Sequence, residues 1–405
     1  MSNDIRTEEQ AKLTDREVME HTASIWKYKN ITDERVEPHA ESAYGHMYAK
    51  GGEITAARVR GKKHKHDGTN CDDWYELASS DDFLIAVVSD GAGSKALSRI
   101  GARVSCQSAQ TFLNTELSKL LTDEPQLKTA LGSELSSEGF MSACGKVATL
   151  IQQSARHAFD SVIKELKSIY NDETVNAYLG RNPELHDLSC TFLAAVIIPL
   201  SVNGKLENLI VSTQIGDGCI CALNTRTKAD DCLRLLGVAD SGAFSGETEF
   251  LSERSADPSS IAGRTRISRG ASDIVMLMTD GVADDYYPAA PMMKRLYLDL
   301  CLNGALPMIG IIPKKQLPAP IGFPAVSETA ETVELQYAKQ LITDTCDIDE
   351  LWNRRGSLKC HSLDAYGIKH GNTQEERLLT WLDNYNERGS FDDRTLVIIQ
   401  LNTKE

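Results

Sequence analysis

The sequence predicts a globular protein that combines buried strands with long helices. Short apolar runs typical of buried strands occur at residues 83–88 and 274–278. Residues 141–170 instead repeat apolar side chains near a period of 3.6 residues, which predicts a long helix. The chain has 405 residues, of which 41% are hydrophobic and 25% charged, so it is long enough to bury a sizeable core.

The same two patterns predict the other elements in chain order. Residues 1–50 are polar and charged, and we expect a helical N-terminal extension there, followed by the main domain over residues 51–405. Further strands are expected at 54–59, 190–198, 209–215, 219–223 and 396–401, and a further helix at 98–121. Residues 285–390 differ, because they contain two proline-rich stretches and helical patterns at 331–345 and 374–388. We expect this segment to be an insertion between two core strands.

Composition excludes several classes of protein. The net charge of −15 repels nucleic-acid phosphates and anionic membranes, so no nucleic-acid or membrane partner is expected. The polar N-terminus is not a secretory signal, and no run of eighteen apolar residues could cross a bilayer. The ten cysteines show neither CxxC pairs nor zinc spacing. We therefore expect reduced thiols and a cytoplasmic protein.

Acidic residues follow or precede the predicted strands in a repeated way. Three apolar strands end in Asp-Gly, and an acidic pair precedes the last strand: Asp90-Gly91, Asp217-Gly218, Asp280-Gly281 and Asp392-Asp393. Each Asp-Gly alone is most simply a turn, because glycine tolerates positive φ and aspartate bonds its own backbone. The repetition at strand ends is what points to a shared site.

Carboxylates that meet in space need a counter-ion. Aspartates held a few ångströms apart repel one another, which raises their pKa values and destabilises their charged forms. Hard divalent cations such as Mg²⁺ and Mn²⁺ remove that cost, since they prefer oxygen ligands. A pair of such ions makes hydroxide available at neutral pH and clamps the oxygens of a phosphoryl group. If the strand ends converge, the sequence therefore predicts a metal centre suited to phosphoryl chemistry.

Six motifs resemble those of one family. Residues 61–73 read GKKHKHDGTNCDD, which resembles the G-x-x-H-x-x-x-G-x-x-C-Q-D opening of bacterial metal-dependent serine/threonine protein phosphatases of the 2C type. Residues 89–102, SDGAGSKALSRIGA, resemble the DGAGS segment of the same branch, and residues 190–196, CTFLAAV, its T-T-L strand. The motifs GDG at 216–218, TDG at 279–281 and DDRT at 392–395 follow in the family's order. Together they span most of the chain.

The resemblance implies a fold and a reaction. The fold would be α+β, a four-layer αββα sandwich of two antiparallel sheets flanked by helices. The reaction would be hydrolysis of phosphoserine or phosphothreonine in proteins by a metal-activated water, without a phosphoenzyme. Two or three Mg²⁺ or Mn²⁺ ions would be the cofactors, and a phosphoprotein and a cognate Ser/Thr kinase the partners. The insertion at 285–390 would be a lid or docking surface, as the family's flap region is.

The resemblance also implies site residues. Six positions match the metal site: Asp73, Asp90, Gly91, Asp217, Asp280 and Asp392. Asp90 would bridge two ions, one of which also binds the Gly91 carbonyl, and Asp280 and Asp392 would ligate the other. Asp73 would hold metal-bound water or lie just behind the ligands, and Asp217 would serve a third, weaker ion. Asp393 is an alternative to Asp392, because the two are adjacent.

Two positions depart from the family's pattern. Ala92 stands where many relatives have a histidine that acts as general acid, and Gly68 stands where many have a phosphate-binding arginine. His64 is our candidate for catalysis and phosphate binding, and Lys65 for phosphate binding, although a basic solvated loop explains the lysines equally well. These departures favour an alternative function, a catalytically weak phosphatase-like module that binds phosphoproteins or a kinase.

Overall fold

The structure is a computed structural model of the chain. It describes residues 27–32, 34–225, 232–237, 248–306, 373–384 and 391–402. The strands are β1 (Ser42–Ala49), β2 (Gly52–Val59), β3 (Trp74–Ser79), β4 (Leu84–Ser89), β5 (Phe192–Val202), β6 (Lys205–Ile215), β7 (Cys219–Leu223), β8 (Leu233–Leu235), β9 (Thr265–Gly270), β10 (Ile274–Met278) and β11 (Arg394–Leu401).

Helices surround these strands. They are α1 (Lys62–Asp67), α2 (Ser98–Asp123), α3 (Leu127–Leu131), α4 (Glu138–Ile169), α5 (Glu173–Leu179), α6 (Pro258–Arg264), α7 (Asp280–Ala283), α8 (Ala289–Leu302) and α9 (Gln374–Asn384). Short 3-10 turns occur at Leu185–Leu188 and Asp284–Tyr286. None of the described helices combines the length and hydrophobicity that a bilayer crossing requires.

The strands form two antiparallel sheets with helices on both outer faces. The order is β1-β2-β11-β10-β7-β8 in the six-stranded sheet and β3-β4-β5-β6-β9 in the five-stranded sheet. One apolar cluster lies between the sheets and includes Ile54, Val88 and Val397. A second joins the five-stranded sheet to α2 and α4, and a third joins the six-stranded sheet to α8 and α9. The predicted four-layer αββα sandwich is confirmed.

Several predicted elements are present with shifted ends. The strands predicted at 219–223 and 274–278 match β7 and β10, and the two long helices match α2 and α4 within a few residues. The prediction missed β3, β8, β9 and the short helices. The helix predicted at 331–345 lies outside the described residues, as does the end of the helix predicted at 374–388.

The prediction of a helical extension up to residue 50 was wrong for its last part. Residues 42–49 form β1, which pairs with β2 from Ser42 opposite Val59 to Ala49 opposite Gly52. No helix occurs among the described residues between 27 and 41. The sequence SAYGHMYA alternates large polar-aromatic side chains with smaller or apolar ones, a period of two that indicates a strand. The segment contains few strongly hydrophobic residues, so the hydrophobic pattern did not predict a strand there.

Two Asp-Gly glycines are required because another chain segment passes very close to them. A Cβ on Gly281 would lie 1.9 Å from the Asp393 carbonyl oxygen. A Cβ on Gly91 would lie 2.7 Å from the Asp72 carbonyl oxygen. No side chain fits at such distances. The turns that carry the aspartates are therefore packed backbone to backbone at one end of the sandwich.

Candidate metal centre

Five aspartates from distant parts of the sequence lie at one end of the sheets. Asp90 follows β4, and Asp280 is the first residue of α7, directly after β10. Asp392 lies just before β11, which runs antiparallel to β10 and so begins where β10 ends. Asp217 lies between β6 and β7, and Asp73 lies just before β3. The sandwich topology thus brings together residues that are up to 319 positions apart between Asp73 and Asp392.

The carboxylates come close enough to share cations. One carboxylate oxygen from each of Asp90, Asp217 and Asp280 lies within 4.8 Å of the others, and all three residues are half-buried. Asp392 is near enough that its charge raises the pKa values of Asp90 and Asp280. The predicted convergence of these strand ends is therefore present in the fold.

Burial and the repulsion of neighbouring carboxylates raise the pKa values of Asp73, Asp90 and Asp280. Burial, followed by the charges of Asp280, Asp73 and Asp392, raises the pKa of Asp90 well above its ordinary value. Burial and then the Asp217 and Asp392 charges do the same to the pKa of Asp280. Burial and the Asp393 charge raise the pKa of Asp73 to about 7. The metal-free cluster is electrostatically unfavourable in its charged form.

Oxygen atoms in the cluster also lack hydrogen-bond donors. Among the described residues, no donor reaches the buried Oδ1 atoms of Asp73 and Asp217. A buried acceptor without a donor costs free energy, on the order of 1–3 kcal/mol. Cations, or water bound to them, would satisfy these oxygens and neutralise the charges at once. The side chains that converge here, those of Asp90, Asp217 and Asp280, all offer carboxylate oxygen, which fits Mg²⁺ or Mn²⁺.

Threonine side chains fix the cluster in place. The hydroxyls of Thr279 and Thr395 both donate to Asp73 Oδ2, at 2.9 and 2.6 Å. Thr191 receives the Asp90 N–H on its Oγ1 at 2.8 Å, and its own N–H donates to the Asp90 carbonyl at 2.8 Å. These threonines belong to the TDG, DDRT and CTFLAAV motifs, but sequence reasoning gave them no role.

Asp393 differs from Asp392 in its surroundings. Its side chain accepts hydrogen bonds from the Gly61 N–H at 2.6 Å, the Asp72 N–H, and His64 Nδ1 at 2.9 Å. It is fully buried, and although burial opposes this, the His64 charge holds the pKa of Asp393 below its usual range. The Asp392 side chain, by contrast, is 38% exposed. Three N–H donors thus reach the Asp393 side chain, whereas Asp392 Oδ1 accepts the Asp393 N–H at 3.0 Å.

His64 is buried in α1 beside the cluster. Its Nε2 atom lies 3.8 Å from Asp392 Oδ1 and 4.0 Å from Asp72 Oδ2. Burial lowers its pKa, but the Asp393 charge and hydrogen bond, helped by Asp72 and Asp392, raise the pKa of His64 to about 10. A Cβ on Gly93 would lie 3.6 Å from Nε2, so the ring faces the loop that follows Asp90. His64 therefore reaches, from another element, the loop that contains Ala92 and Gly93.

The other basic residues of α1 have different surroundings. The Lys65 ammonium forms an ion pair with Asp383 at the end of α9. Its role in phosphate binding stays a prediction, and it would require Lys65 to exchange this partner. Lys62 is half-buried, and burial together with the Arg394 charge lowers its pKa to about 8. Lys63 is exposed to solvent.

One acidic residue near the cluster was overlooked. Asp284 lies four residues after Asp280, and burial followed by the charges of Asp217 and Asp285 raises its pKa. Its position four residues after Asp280 places it one helical turn further along the chain, and this spacing is visible in the sequence. Asp284 is thus a further carboxylate on the Asp217 side of the cluster.

Comparison with known proteins agrees with the motifs and the fold. A family profile described as protein phosphatase 2C matches residues 60–302, more than half of the chain. The chain belongs to the protein phosphatase 2C family. No curated protein matches it closely enough to be counted as a relative.

Solved structures similar to this phosphatase-family chain share little sequence with it. A bacterial serine phosphatase is 9% identical with a TM-score of 0.37, and the alignment covers 91% of this chain and 100% of that one. Stp1, a serine/threonine phosphatase from Staphylococcus aureus, is 10% identical with a TM-score of 0.37, covering 88% and 99%. A serine-threonine phosphatase 2C from Toxoplasma gondii is 10% identical with a TM-score of 0.40, covering 90% and 100%. Similarity at this level identifies no activity for this chain.

The raised pKa values predict how the stability of the metal-free protein depends on pH. In the folded state the pKa of Asp73 is about 7 and that of Asp72 is about 8. In the unfolded state both groups have pKa values near 4, so the folded state binds more protons than the unfolded state between these values. His64 acts in the same direction. Folding stability should therefore fall as pH rises from 6 to 8, since each unit of raised pKa is about 1.4 kcal/mol.

Thermal unfolding followed by circular dichroism checks this expectation. The melting temperature of the metal-free protein should fall from pH 6 to pH 8, and Mn²⁺ should raise it more at pH 8, where the carboxylates are charged. Asp73→Asn should reduce the dependence on pH, whereas Asp82→Asn, at an exposed surface position, should not. A melting temperature that rises with pH, or an equal effect of Mn²⁺ at both values, would contradict the described electrostatics.

Proposed function

We propose that this chain hydrolyses phosphoserine or phosphothreonine in proteins with a water activated by Mg²⁺ or Mn²⁺. The proposal is supported by the convergence of the Asp90, Asp217 and Asp280 carboxylates. The pKa values of Asp90 and Asp280 are raised, and no donor among the described residues reaches Asp217 Oδ1. Such a group is costly unless cations occupy it, and a pair of cations is what phosphoryl transfer to water uses. Membership of the protein phosphatase 2C family supports the same chemistry.

We carry the metal-binding roles over from the family resemblance and use the surroundings of the carboxylates to choose between Asp392 and Asp393. Asp90 would bridge two ions with the Gly91 carbonyl beside it, and Asp280 and Asp392 would complete the second position. Asp392 is preferred to Asp393, because three N–H groups already donate to the Asp393 side chain. Asp217, with Asp284 nearby, would hold a third ion, and Asp73 would orient bound water through its donor-free oxygen. Bound cations would supply a hydroxide-like water and neutralise charge on the phosphoryl oxygens.

The chain's own residues prepare the site for a phosphate ester. Thr279 and Thr395 hold Asp73, and the backbone of Thr191 holds the Asp90 turn, so the ligand geometry exists before substrate arrives. His64 would carry a proton on the side of Asp392, with Asp393 fixing its ring through Nδ1. A positioned donor can protonate the departing serine or threonine oxygen, a role for which relatives use a histidine at the position of Ala92.

The expected partners follow from the reaction. A phosphoprotein would be the substrate, and a Ser/Thr kinase that makes it would act on the same protein. We also propose that residues 51–405 form the phosphatase domain and that the segment 285–390 is a lid or docking surface for substrate. Parts of that segment are described, namely α8 and α9, and both pack on the outer face of the six-stranded sheet.

A second candidate function has specific support in the sequence. Ala92 and Gly68 lack the side chains that relatives use for protonation and phosphate binding. A domain without those functions could bind phosphoproteins or a kinase without turnover. The position of His64 beside Gly93 weighs against this alternative, because it returns an imidazole to the same neighbourhood.

Substitution of the proposed ligands tests the metal-dependent reaction. Purified protein with Mn²⁺ should hydrolyse para-nitrophenyl phosphate and a phosphothreonine peptide. Asp90→Ala and Asp280→Ala should each lower kcat by about 10³-fold or more, because a lost cation removes several kcal/mol of transition-state stabilisation. Asp82→Ala, which removes a carboxylate that pairs with Lys128 on the surface, should leave kcat unchanged.

Circular dichroism of each variant must show a folded protein for this comparison to count. No hydrolysis of either substrate by the wild-type protein would remove the enzyme proposal and leave the binding module. Full activity of folded Asp90→Ala or Asp280→Ala would show that the site assignment is wrong.

A leaving-group comparison tests His64. His64→Gln should lower kcat for the phosphothreonine peptide by about 10²-fold or more, because an alkoxide needs a proton to depart. The loss with para-nitrophenyl phosphate should be much smaller, since nitrophenolate leaves without protonation. Asp393→Asn should show the same selectivity more weakly. Equal losses on both substrates would mean that His64 supports the structure of the site and does not donate the proton.

A further inference from the structure

The strand β1 is an edge strand of the six-stranded sheet, and no other strand of the described residues pairs with its outer side. The Arg60 N–H donates to the Glu41 carbonyl at 2.7 Å, which makes Glu41 and Arg60 a hydrogen-bonded pair next to the first residue of β1. Because such pairs alternate in an antiparallel ladder, residues 42, 44, 46 and 48 turn their N–H and C=O groups away from β2. Among the described residues, one hydrogen bond reaches these outward groups: the Ser79 hydroxyl donates to the Tyr48 carbonyl at 3.5 Å, which is long for such a bond.

This edge lacks the features that usually protect a sheet edge from pairing. Proteins block edges with charged residues, proline or very short strands. Among the described sheet edges, β8 has three residues, β3 carries Glu76, and β9 carries Arg266 and Arg269. By contrast β1, SAYGHMYA, is eight residues long and contains neither a charged residue nor a proline. An uncharged edge of this length is a ready template for an added strand.

Side chains beside the edge form an aromatic, anionic strip. Tyr44 and Tyr48 are 43% and 75% exposed, and they flank His46 on the same face of the strand. The His46 ring stacks on Tyr48 with centroids 4.2 Å apart. Its two nitrogens face Glu53 at 3.5 Å and Glu375 of α9 at 3.1 Å. Two carboxylates against one imidazole leave this strip negative at any protonation state of His46.

We propose that the β1 edge binds an extended, basic segment of the phosphoprotein substrate by strand addition. Main-chain hydrogen bonds to residues 42, 44 and 46 would hold the segment. Arginine or lysine at alternate positions would lie over the Tyr44 and Tyr48 rings and approach Glu53 and Glu375. The chain's net charge of −15 favours a basic partner and disfavours pairing with a second copy of itself.

The position of β1 suits a substrate that must also reach the metal centre. Ser42 lies opposite Val59, and Val59 pairs with Arg394, which directly follows Asp392 and Asp393. The strand therefore begins at the end of the sheet where the aspartates gather. An open cleft of about 630 Å³ extends from this end of the edge and is lined by Ala40, Glu41, Glu34 and Pro38 among others. A segment bound along β1 would leave it toward the site. The identification of the bound segment as substrate rests on the proposed function. The binding itself rests only on the features of the β1 edge.

Binding is tested without catalysis. The probe is a fluorescein-labelled decapeptide of alternating arginine and valine, titrated onto the full chain in metal-free buffer and followed by fluorescence anisotropy. We expect saturable binding that weakens with salt and disappears when the backbone amides are N-methylated. Tyr48→Lys and Tyr44→Lys should each weaken binding about fivefold, through a lost cation–π contact and added repulsion. The matched control Tyr170→Lys, which alters a 46% exposed tyrosine at the end of α4, should not.

Three kinds of result, from the titration and from measurements on the free chain, would overturn the proposal. The first is equal affinity for the N-methylated peptide, which would show that the backbone does not pair. The second is an unchanged affinity of both tyrosine variants. The third is slow hydrogen exchange at the Tyr44 and His46 amides of the free chain, or dimers lost on Tyr48→Lys substitution, either of which would mean that something else covers the edge.

Enzyme kinetics test whether the segment that binds β1 belongs to the substrate. For a phosphoserine peptide that carries the arginine–valine segment, Tyr48→Lys should raise KM about fivefold and leave kcat unchanged, while hydrolysis of para-nitrophenyl phosphate stays the same. Lost binding with an unchanged KM would mean that the bound segment is not substrate, which overturns that part. If the wild-type chain hydrolyses nothing, the proposed function fails, and the anisotropy titration still decides whether the edge binds.

Discussion

Carboxylates that repel one another at the end of the sandwich destabilise the fold unless hydrogen bonds or cations offset their charge. The fold gathers Asp73, Asp90, Asp217, Asp280 and Asp392 at one end of two sheets. Burial and neighbouring negative charge raise the pKa values of Asp73, Asp90 and Asp280 there. Such an arrangement lowers stability unless something compensates for it. The threonine hydroxyls compensate in part by hydrogen bonding. Cations at the donor-free oxygens would compensate for the remainder and would also supply the proposed chemistry.

Close backbone contacts between the loops hold the carboxylates in place despite their mutual repulsion. The turn after β10 lies against the Asp393 carbonyl, and the turn after β4 lies against the Asp72 carbonyl, each at a glycine. Asp393 then ties the N–H groups of Gly61 and Asp72 to the start of β11 and orients His64. Residues 27–32 add a further layer, since the Lys29 and Thr32 N–H groups donate to the Lys65 and Gly68 carbonyls around α1. The segment before the first sheet strand thus helps to hold the helix that carries His64.

The α+β sandwich and the family were predicted because six short motifs, among them the Asp-Gly strand ends, resemble those of one family in the same order. It could not separate Asp392 from Asp393, since adjacent residues before a strand differ only in the direction that the fold gives their side chains. It also could not show that His64 is buried, because the basic run around it looks like a solvated loop until α1 packs on Asp393. It misread residues 42–49, where a weakly hydrophobic period of two is stabilised by pairing with β2. Tertiary contacts decided each of these points.

The central claim is that the clustered aspartates bind divalent cations at the end of the sandwich. A crystal of the full chain grown with Mn²⁺, measured near the manganese absorption edge, would locate every ion by anomalous scattering. The account predicts two strong peaks coordinated by Asp90, Asp280 and Asp392, and a weaker one near Asp217, with Asp393 still bound to His64. No peak at these carboxylates at saturating Mn²⁺, or a peak bound only elsewhere on the protein, would contradict it.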